Sequence, residues 1–359
     1  AQAWAAILQR AAELELHLPH EKDFDGGWNE IIAEVYDLDV ESLASLDETT
    51  LTVTDPVTGE ETVFHHFIGP GYEIVRIEGT DGDDIINVVV DGPSITYVDA
   101  GSGDDIIEGS DERDIIFGGE GDDTVNGNGG DDWINGGAGN DTLNGNNGLD
   151  FIIGGSDDDV LTGGDHDDHI YGGFGNDILT GGAGQDDLYG GDGDDVLHGD
   201  TATTVDYLYG DAGNDTIYGY TGDFLIGGKG DDLLIMGSAQ GNKGIRIARG
   251  DGHDTLQMTS IVDQYIAFDS SIGPNDLWFH YDPADTNNLI ISVLGEDQSI
   301  KVLDFRNYDV RVDVLDDYYI NIKALENSWY APLLSVQPTG QYNVIPESDY
   351  ASMSNALMS

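Results

Sequence analysis

The 359-residue chain has no cysteine. Neither disulfides nor thiol chemistry can stabilise it or serve a reaction. Basic residues are scarce: 12 Lys plus Arg stand against 71 Asp plus Glu, a formal net charge of −59. A chain so charged repels itself, compacts only with counter-ions and is a poor partner for nucleic acid. No apolar run approaches the roughly 18–20 residues of a membrane span, and no signal-peptide pattern stands at the start. His-Glu-x-x-His is absent, which excludes the zinc-protease type of site. Gly-x-Ser-x-Gly is absent, which argues against a lipase-type serine. His65-His66 falls in a predicted strand, where neighbouring side chains face opposite ways. A structural role is therefore expected for the pair, and no catalytic residue is assigned.

What is present is glycine and aspartate in a fixed rhythm. From residue 79 to 257 the sequence repeats Gly-Gly-x-Gly-x-Asp-x-(large apolar)-x. Between Ala100 and His198 the register holds for eleven successive nonapeptides. Clean copies are Gly118–Asn126 (GGEGDDTVN), Gly136–Asn144, Gly172–Thr180, Gly181–Tyr189 and Gly190–His198. The first six residues spell a tight turn, with Gly where φ must be positive. The last three read as a short strand whose apolar eighth residue points inward. Two nonapeptides make an eighteen-residue coil, so turns two motifs apart stack. Segment 79–257 holds 36 Asp but only 3 Glu. A solvated acidic surface would use both; a ligand at fixed reach from a tight turn favours the shorter side chain. Carboxylates joined by backbone carbonyls are the hard oxygen set that Ca²⁺ takes.

These nonapeptides resemble those of the RTX family, the repeats-in-toxin proteins exported by type I machines of Gram-negative bacteria. The resemblance implies a calcium-bound parallel β-helix, or β-roll, holding about eight to twelve Ca²⁺ ions. The side-chain ligands expected are Asp84, Asp105, Asp114, Asp123, Asp132, Asp141, Asp150, Asp159, Asp168, Asp177, Asp186, Asp195, Asp206, Asp215, Asp223, Asp232 and Asp254. Carbonyls of the turn glycines should complete the sites. In the clean copies these are Gly118, Gly119 and Gly121; Gly136, Gly137 and Gly139; Gly172, Gly173 and Gly175; Gly181, Gly182 and Gly184; and Gly190, Gly191 and Gly193. Glu112 and His166 replace the fourth-position glycine, so weaker or missing calcium is expected there. Asp157, at the same place, tolerates a left-handed backbone better.

The flanks differ. Residues 1–45 carry apolar residues at helical spacing, with a second helix expected over Trp28–Tyr36. Residues 49–68 alternate about a Pro/Gly turn and predict a β-hairpin, followed by a strand at Tyr72–Glu78. Segment 1–78 is expected to cap or precede the first coil. Met236–Ala248 leaves the repeat, and Arg249–Gln257 is a last degenerate copy. Segments 275–279, 288–294 and 299–305 predict antiparallel strands within a cap over 258–322, similar to the region that follows the repeats in large RTX proteins. Residues 323–359 make a tail; from Ala324 on it lacks Lys and Arg and resembles a type I secretion signal. The dipeptides Asp55-Pro56 and Asp282-Pro283 are too common to carry a cleavage assignment.

The functional expectation is a secreted or cell-surface calcium-binding module whose folding is driven by external Ca²⁺, serving the export and folding of a toxin, adhesin or other exoprotein. The alternative is a self-assembling surface protein of adhesin or surface-layer type. One further pattern bears on partners. Alternate nonapeptides place Ile115, Phe117, Trp133, Phe151, Ile153, Tyr171, Tyr189, Tyr207, Tyr209, Phe224 and Ile226 outward on one sheet, interrupted by Asn135, His169 and Asp187. The other sheet shows Thr124, Asn126, Thr142, Asn144, Thr162, Thr180 and similar polar residues, with some aliphatics. The aromatic sheet is expected to pack on residues 1–78 or on another subunit.

Overall fold

One inward side chain per nonapeptide organises the molecule. The computed structural model describes residues 47–54, 61–69, 72–88, 94–199, 204–220, 223–237, 243–247, 252–258, 264–268, 277–293, 297–305, 310–314 and 319–321. The eighth residues from Ile107 through Ile116, Val125, Ile134 and Leu143 to Leu197 are all fully buried, at 0% exposure. They form one continuous aliphatic core. Each buries on the order of 1.5–3 kcal/mol of apolar transfer free energy, and each touches its equivalents one coil above and below.

The chain winds as a parallel β-solenoid of two facing sheets, one of fifteen strands and one of thirteen. The register is eighteen residues: Phe151 pairs with Trp133 on one side and His169 on the other. In the second sheet Leu143 pairs with Val125 and Leu161. Most strands run six residues, for example Thr142–Asn147 and Phe151–Ser156. Three were expected. The difference arises because the first residues of each nonapeptide also pair with their equivalents, as Gly155 does with Gly137. Left-handed backbone at such second positions (Gly137 φ 115°) is built into the strand end.

The first sheet continues at its N-terminal edge into an antiparallel hairpin, Asp47–Thr54 with Glu61–Gly69, joined through Tyr72–Glu78. That strand then pairs in parallel with Ser94–Ser102. At the other end Leu277–Tyr281, Leu289–Val293 and Ser299–Val302 pair antiparallel. Both hairpin regions match the expected alternation. The parallel pairing of the first sheet also runs past Gln257, through Lys243–Ile247, Gln264–Phe268 and Val310–Val314. Coil stacking thus reaches into the segment expected as the C-terminal cap. The helices expected within 1–45, and the tail over 323–359, lie outside the described residues. Among the described residues no helix is long and apolar enough to cross a membrane.

The two outer faces differ as the alternation predicts. On the first sheet Tyr97, Ile115, Trp133, Phe151, Ile153 and Tyr171 form a second buried cluster. Tyr171 stacks on Tyr189 and Tyr189 on Tyr209, each at 4.7 Å and nearly coplanar. Tyr171 is buried, whereas Tyr189 and Tyr209 are half-buried. On the second sheet Thr142 is exposed and Thr124, Asn126, Asn144, Thr162 and Thr180 are half-buried.

Candidate metal centre

The turns between sheets stack in two columns, one on each side of the solenoid. Every described sixth-position aspartate is buried, from Asp84 at 6% exposure to Asp132, Asp150 and Asp168 at 0%. Each carboxylate does two different things with its two oxygens. Oδ1 accepts a hydrogen bond from the backbone amide of the aspartate one coil earlier. In one column the amide of Asp105 donates to Asp123 at 2.8 Å, Asp123 to Asp141 at 2.8 Å and Asp141 to Asp159 at 2.7 Å. That column continues through Asp177, Asp195, Asp215 and Asp232 to Asp254. In the other, Asp114, Asp132, Asp150, Asp168, Asp186, Asp206 and Asp223 are linked the same way. A short side chain is required, since the carboxylate must reach the neighbouring coil from its own turn.

Oδ2 is the functional atom. In Asp105, Asp123, Asp132, Asp141, Asp150, Asp159, Asp168, Asp177, Asp195 and Asp215 it is buried with no hydrogen-bond partner. Buried carboxylate oxygens left bare are costly. Burial accordingly raises these groups from 3.8 to about 6 for Asp123 and Asp177 and to about 9 for Asp132 and Asp168. Neighbouring carboxylates of the same column add to the rise, Asp150 and Asp186 in the case of Asp168. Such a column is strongly negative, and carboxyl groups in this setting seek a proton or a cation.

A carbonyl of the next coil lies close to several of these Oδ2 atoms. A methyl built on Gly172 would come under 3.0 Å from both Asp177 Oδ2 and the carbonyl oxygen of Gly190, one coil on. The same holds at Gly163 with Asp168 and Gly181, and at Gly210 with Asp215 and Gly227. The first residue must be Gly because a Cβ would strike both the carboxylate and the carbonyl. A carboxylate oxygen and a main-chain carbonyl from consecutive coils thus meet beside each of these glycines, and such hard oxygens are what Ca²⁺ takes. Among the described residues no three His, Cys, Asp or Glu side chains gather into a metal site. That follows from the design, in which one carboxylate per turn is joined by main-chain carbonyls.

The irregular turns behave individually. His166 takes the left-handed backbone of the glycine it replaces (φ 87°), as does Asp157 (φ 77°). The carboxylate at Asp168, in the His166 turn, keeps its unpartnered oxygen. Glu112 is not among the left-handed residues. In its turn the Ser110 amide donates to Asp114 Oδ2 at 2.6 Å, and the Ser110 hydroxyl lies 3.1 Å from it. Thr80 treats Asp84 likewise, through its amide at 2.6 Å and hydroxyl at 3.0 Å. In the shortened copy the Tyr220 amide donates to Asp223 Oδ2 at 2.5 Å. Asp84, Asp114 and Asp223, all expected ligands, therefore have their second oxygen occupied by protein groups. The sequence signal for two of them was visible: Thr80 and Ser110 stand where other copies have a second-position Gly.

Fold and site together define a parallel β-solenoid whose stacked turns form two cation-seeking columns. The RTX calcium-binding nonapeptide repeat, as a four-copy family model, matches residues 99–133, 126–161, 144–179, 162–197 and 200–234. Residues 99–197 and 200–234 thus carry RTX calcium-binding nonapeptide repeats, wound as a β-roll. Among solved structures, the chain is similar to a hyperactive, Ca²⁺-dependent, β-helical antifreeze protein from an Antarctic bacterium. That match has 20% identity and a TM-score of 0.35, and covers 53% of this chain. It spans 65% of the length of that protein. No curated protein matches the chain.

Proposed function

We propose that this chain is the calcium-driven folding portion of a secreted RTX exoprotein, with the sixth-position aspartates as its side-chain ligands. The observation that carries the reading is the column of buried, unpartnered carboxylate oxygens, several of them close to a carbonyl of the next coil. Oδ1 sets the stacking of coils, while Oδ2 and the first-residue carbonyls hold the ion. Bound calcium supplies positive charge to the columns. Without it, like charges one coil apart oppose closure of the turns. Extracellular-type calcium sites have Kd values of roughly 10⁻⁴–10⁻³ M. The chain would stay open where calcium is scarce and fold where it is millimolar, which suits threading through a type I machine and folding outside a Gram-negative cell. About eight to twelve ions would serve the whole roll. In this reading residues 1–78 cap the N-terminal end, 79–257 form the roll, 258–322 cap the far end and 323–359 carry the export signal. No catalytic role is assigned to any segment.

A second reading, a self-assembling surface protein, draws support from the stacked Tyr189 and Tyr209, which remain half-buried on an outer face. Far-ultraviolet circular dichroism during a calcium titration, combined with light scattering, tests both. A cooperative rise of β-signal in a monomer is the expected result. A β-signal that persists unchanged in excess chelator would refute calcium-driven folding, and calcium-dependent growth in mass would favour assembly.

A further inference from the structure

In the first turn of each column the protein's own groups occupy the second carboxylate oxygen. Within the turn at 79–84, Thr80 supplies both amide and hydroxyl to Asp84. On the opposite side, within the turn at 109–114, Ser110 does the same for Asp114. There a second group acts independently. Arg113 Nη2 donates to Asp131 Oδ2 at 2.7 Å and Nε to the Asp131 carbonyl at 3.0 Å. A fixed guanidinium thus bridges two coils through a carboxylate and a carbonyl, the same pair of oxygen types that other turns leave for a metal. Charge-assisted bonds of this kind are among the stronger ones a protein makes.

The same coils also carry apolar packing on the outer face. Tyr97 and Ile115 are buried on the outer face of the first sheet, beside Trp133. Phe117 meets Tyr97 at 5.3 Å and Trp133 edge-on at 5.0 Å. The strands here are also longer, nine residues at Ser94–Ser102 and seven at Asp114–Glu120. They lie next to the antiparallel hairpin.

We propose that the N-terminal coils, held by Thr80, Ser110 and Arg113, form a metal-independent end of the calcium-dependent roll. Hydroxyls and a guanidinium do there what a divalent cation does in the following coils. The inference rests on the calcium columns proposed above, but its decisive measurement is made without calcium. Hydrogen–deuterium exchange of the full chain in excess EGTA, read by mass spectrometry, should leave peptides within 94–117 at least tenfold more protected than peptides within 136–198. Added calcium should then protect the latter. If 94–117 exchanges as fast as 136–198 in EGTA, the metal-independent end is refuted. If calcium fails to protect 136–198, the columns themselves are refuted, which is a separate failure. The triple variant Ser110→Gly, Glu112→Gly, Arg113→Asp restores the repeat motif. It should bind one more calcium by native mass spectrometry and lose the chelator-resistant protection at 94–117. An unchanged ion count, or protection retained in EGTA, overturns the assignment.

Discussion

Replacing Asp168 by Asn separates the two jobs of a column aspartate. The side chain keeps its size, and its remaining oxygen can still accept the Asp150 amide now bonded at 2.8 Å to Asp168 Oδ1. What changes is the second atom, an amide nitrogen in place of the bare Oδ2. In calcium the variant loses one ligand charge. A site at about ten times its Kd contributes about 1.4 kcal/mol to stability, so roughly that amount should vanish. For a unit of 150–250 residues this is a fall in Tm of about 3–6 °C. In EGTA the sign reverses. Burial holds the Asp168 carboxyl at about 9 in the folded state against 3.8 ordinarily. The ion-free fold is therefore favoured below pH ~4, where both states hold the proton, and that advantage is lost as pH rises through about 9. At pH 7.5 most of the disadvantage is present for Asp and none for Asn. Thermal melts at pH 7.5, with calcium and with EGTA, should thus cross: Asp168→Asn lower in calcium, higher or equal in chelator. Equal destabilisation in both buffers would mean that the carboxylate acts only through its ladder hydrogen bond, and the cation-column reasoning would fail.

Calcium affinity should weaken between pH 8 and pH 6, because carboxyls held at about 7 in Asp105, Asp141 and Asp195 must release a proton to bind the ion; a calcium midpoint independent of pH would count against this. Gly172→Ala places a methyl within 3.0 Å of Asp177 Oδ2 and the Gly190 carbonyl and must push these oxygens away, so native mass spectrometry should find one ion fewer, and an undiminished count would show that these oxygens do not hold an ion. Ile170→Ala, at the fully buried core position, should cost about 2–5 kcal/mol in calcium, measured by denaturant unfolding; a cost under about 1 kcal/mol would mean that the aliphatic column contributes little. Deleting 258–359 should raise the calcium midpoint, since it strips the strands that pair onto His253–Met258 and Lys243–Ile247 and uncovers a solenoid end; an identical midpoint would remove the capping role.

The roll was legible in the sequence because each of its parts answers to one residue type at one spacing. Leu161 is apolar and inward, Asp159 is short and acidic, and Gly154 has no Cβ to strike that carboxylate. Periodicity exposes such a rule without any contact being known. The antiparallel hairpin at 47–69 was legible for the same reason, through alternation about a turn. Strand length was not, because Gly155 pairs like a strand residue while its composition reads as turn. The occupied carboxylates were not legible from Glu112 and His166, the positions where backbone strain is expected. The consequential change sat two residues earlier, at Ser110, where a hydroxyl saturates a carboxylate. His166 shows the converse: a bulky residue can take a left-handed backbone when neighbouring coils hold the turn, as they do through Asp150 and Asp186.

The aspartate ladder does not measure distance along the chain. Most rungs are 18 residues apart, yet the bonds from Asp186 to Asp206 and Asp195 to Asp215 span 20, those from Asp206 to Asp223 and Asp215 to Asp232 span 17, and the last, to Asp254, spans 22. Coil closure is therefore enforced at the carboxylate, and a coil may carry slack elsewhere on its circumference. Such an architecture tolerates insertion and deletion as a chain of beads tolerates uneven thread. It could lengthen by duplicating copies, or display a foreign peptide from one coil, without disturbing the rungs on either side.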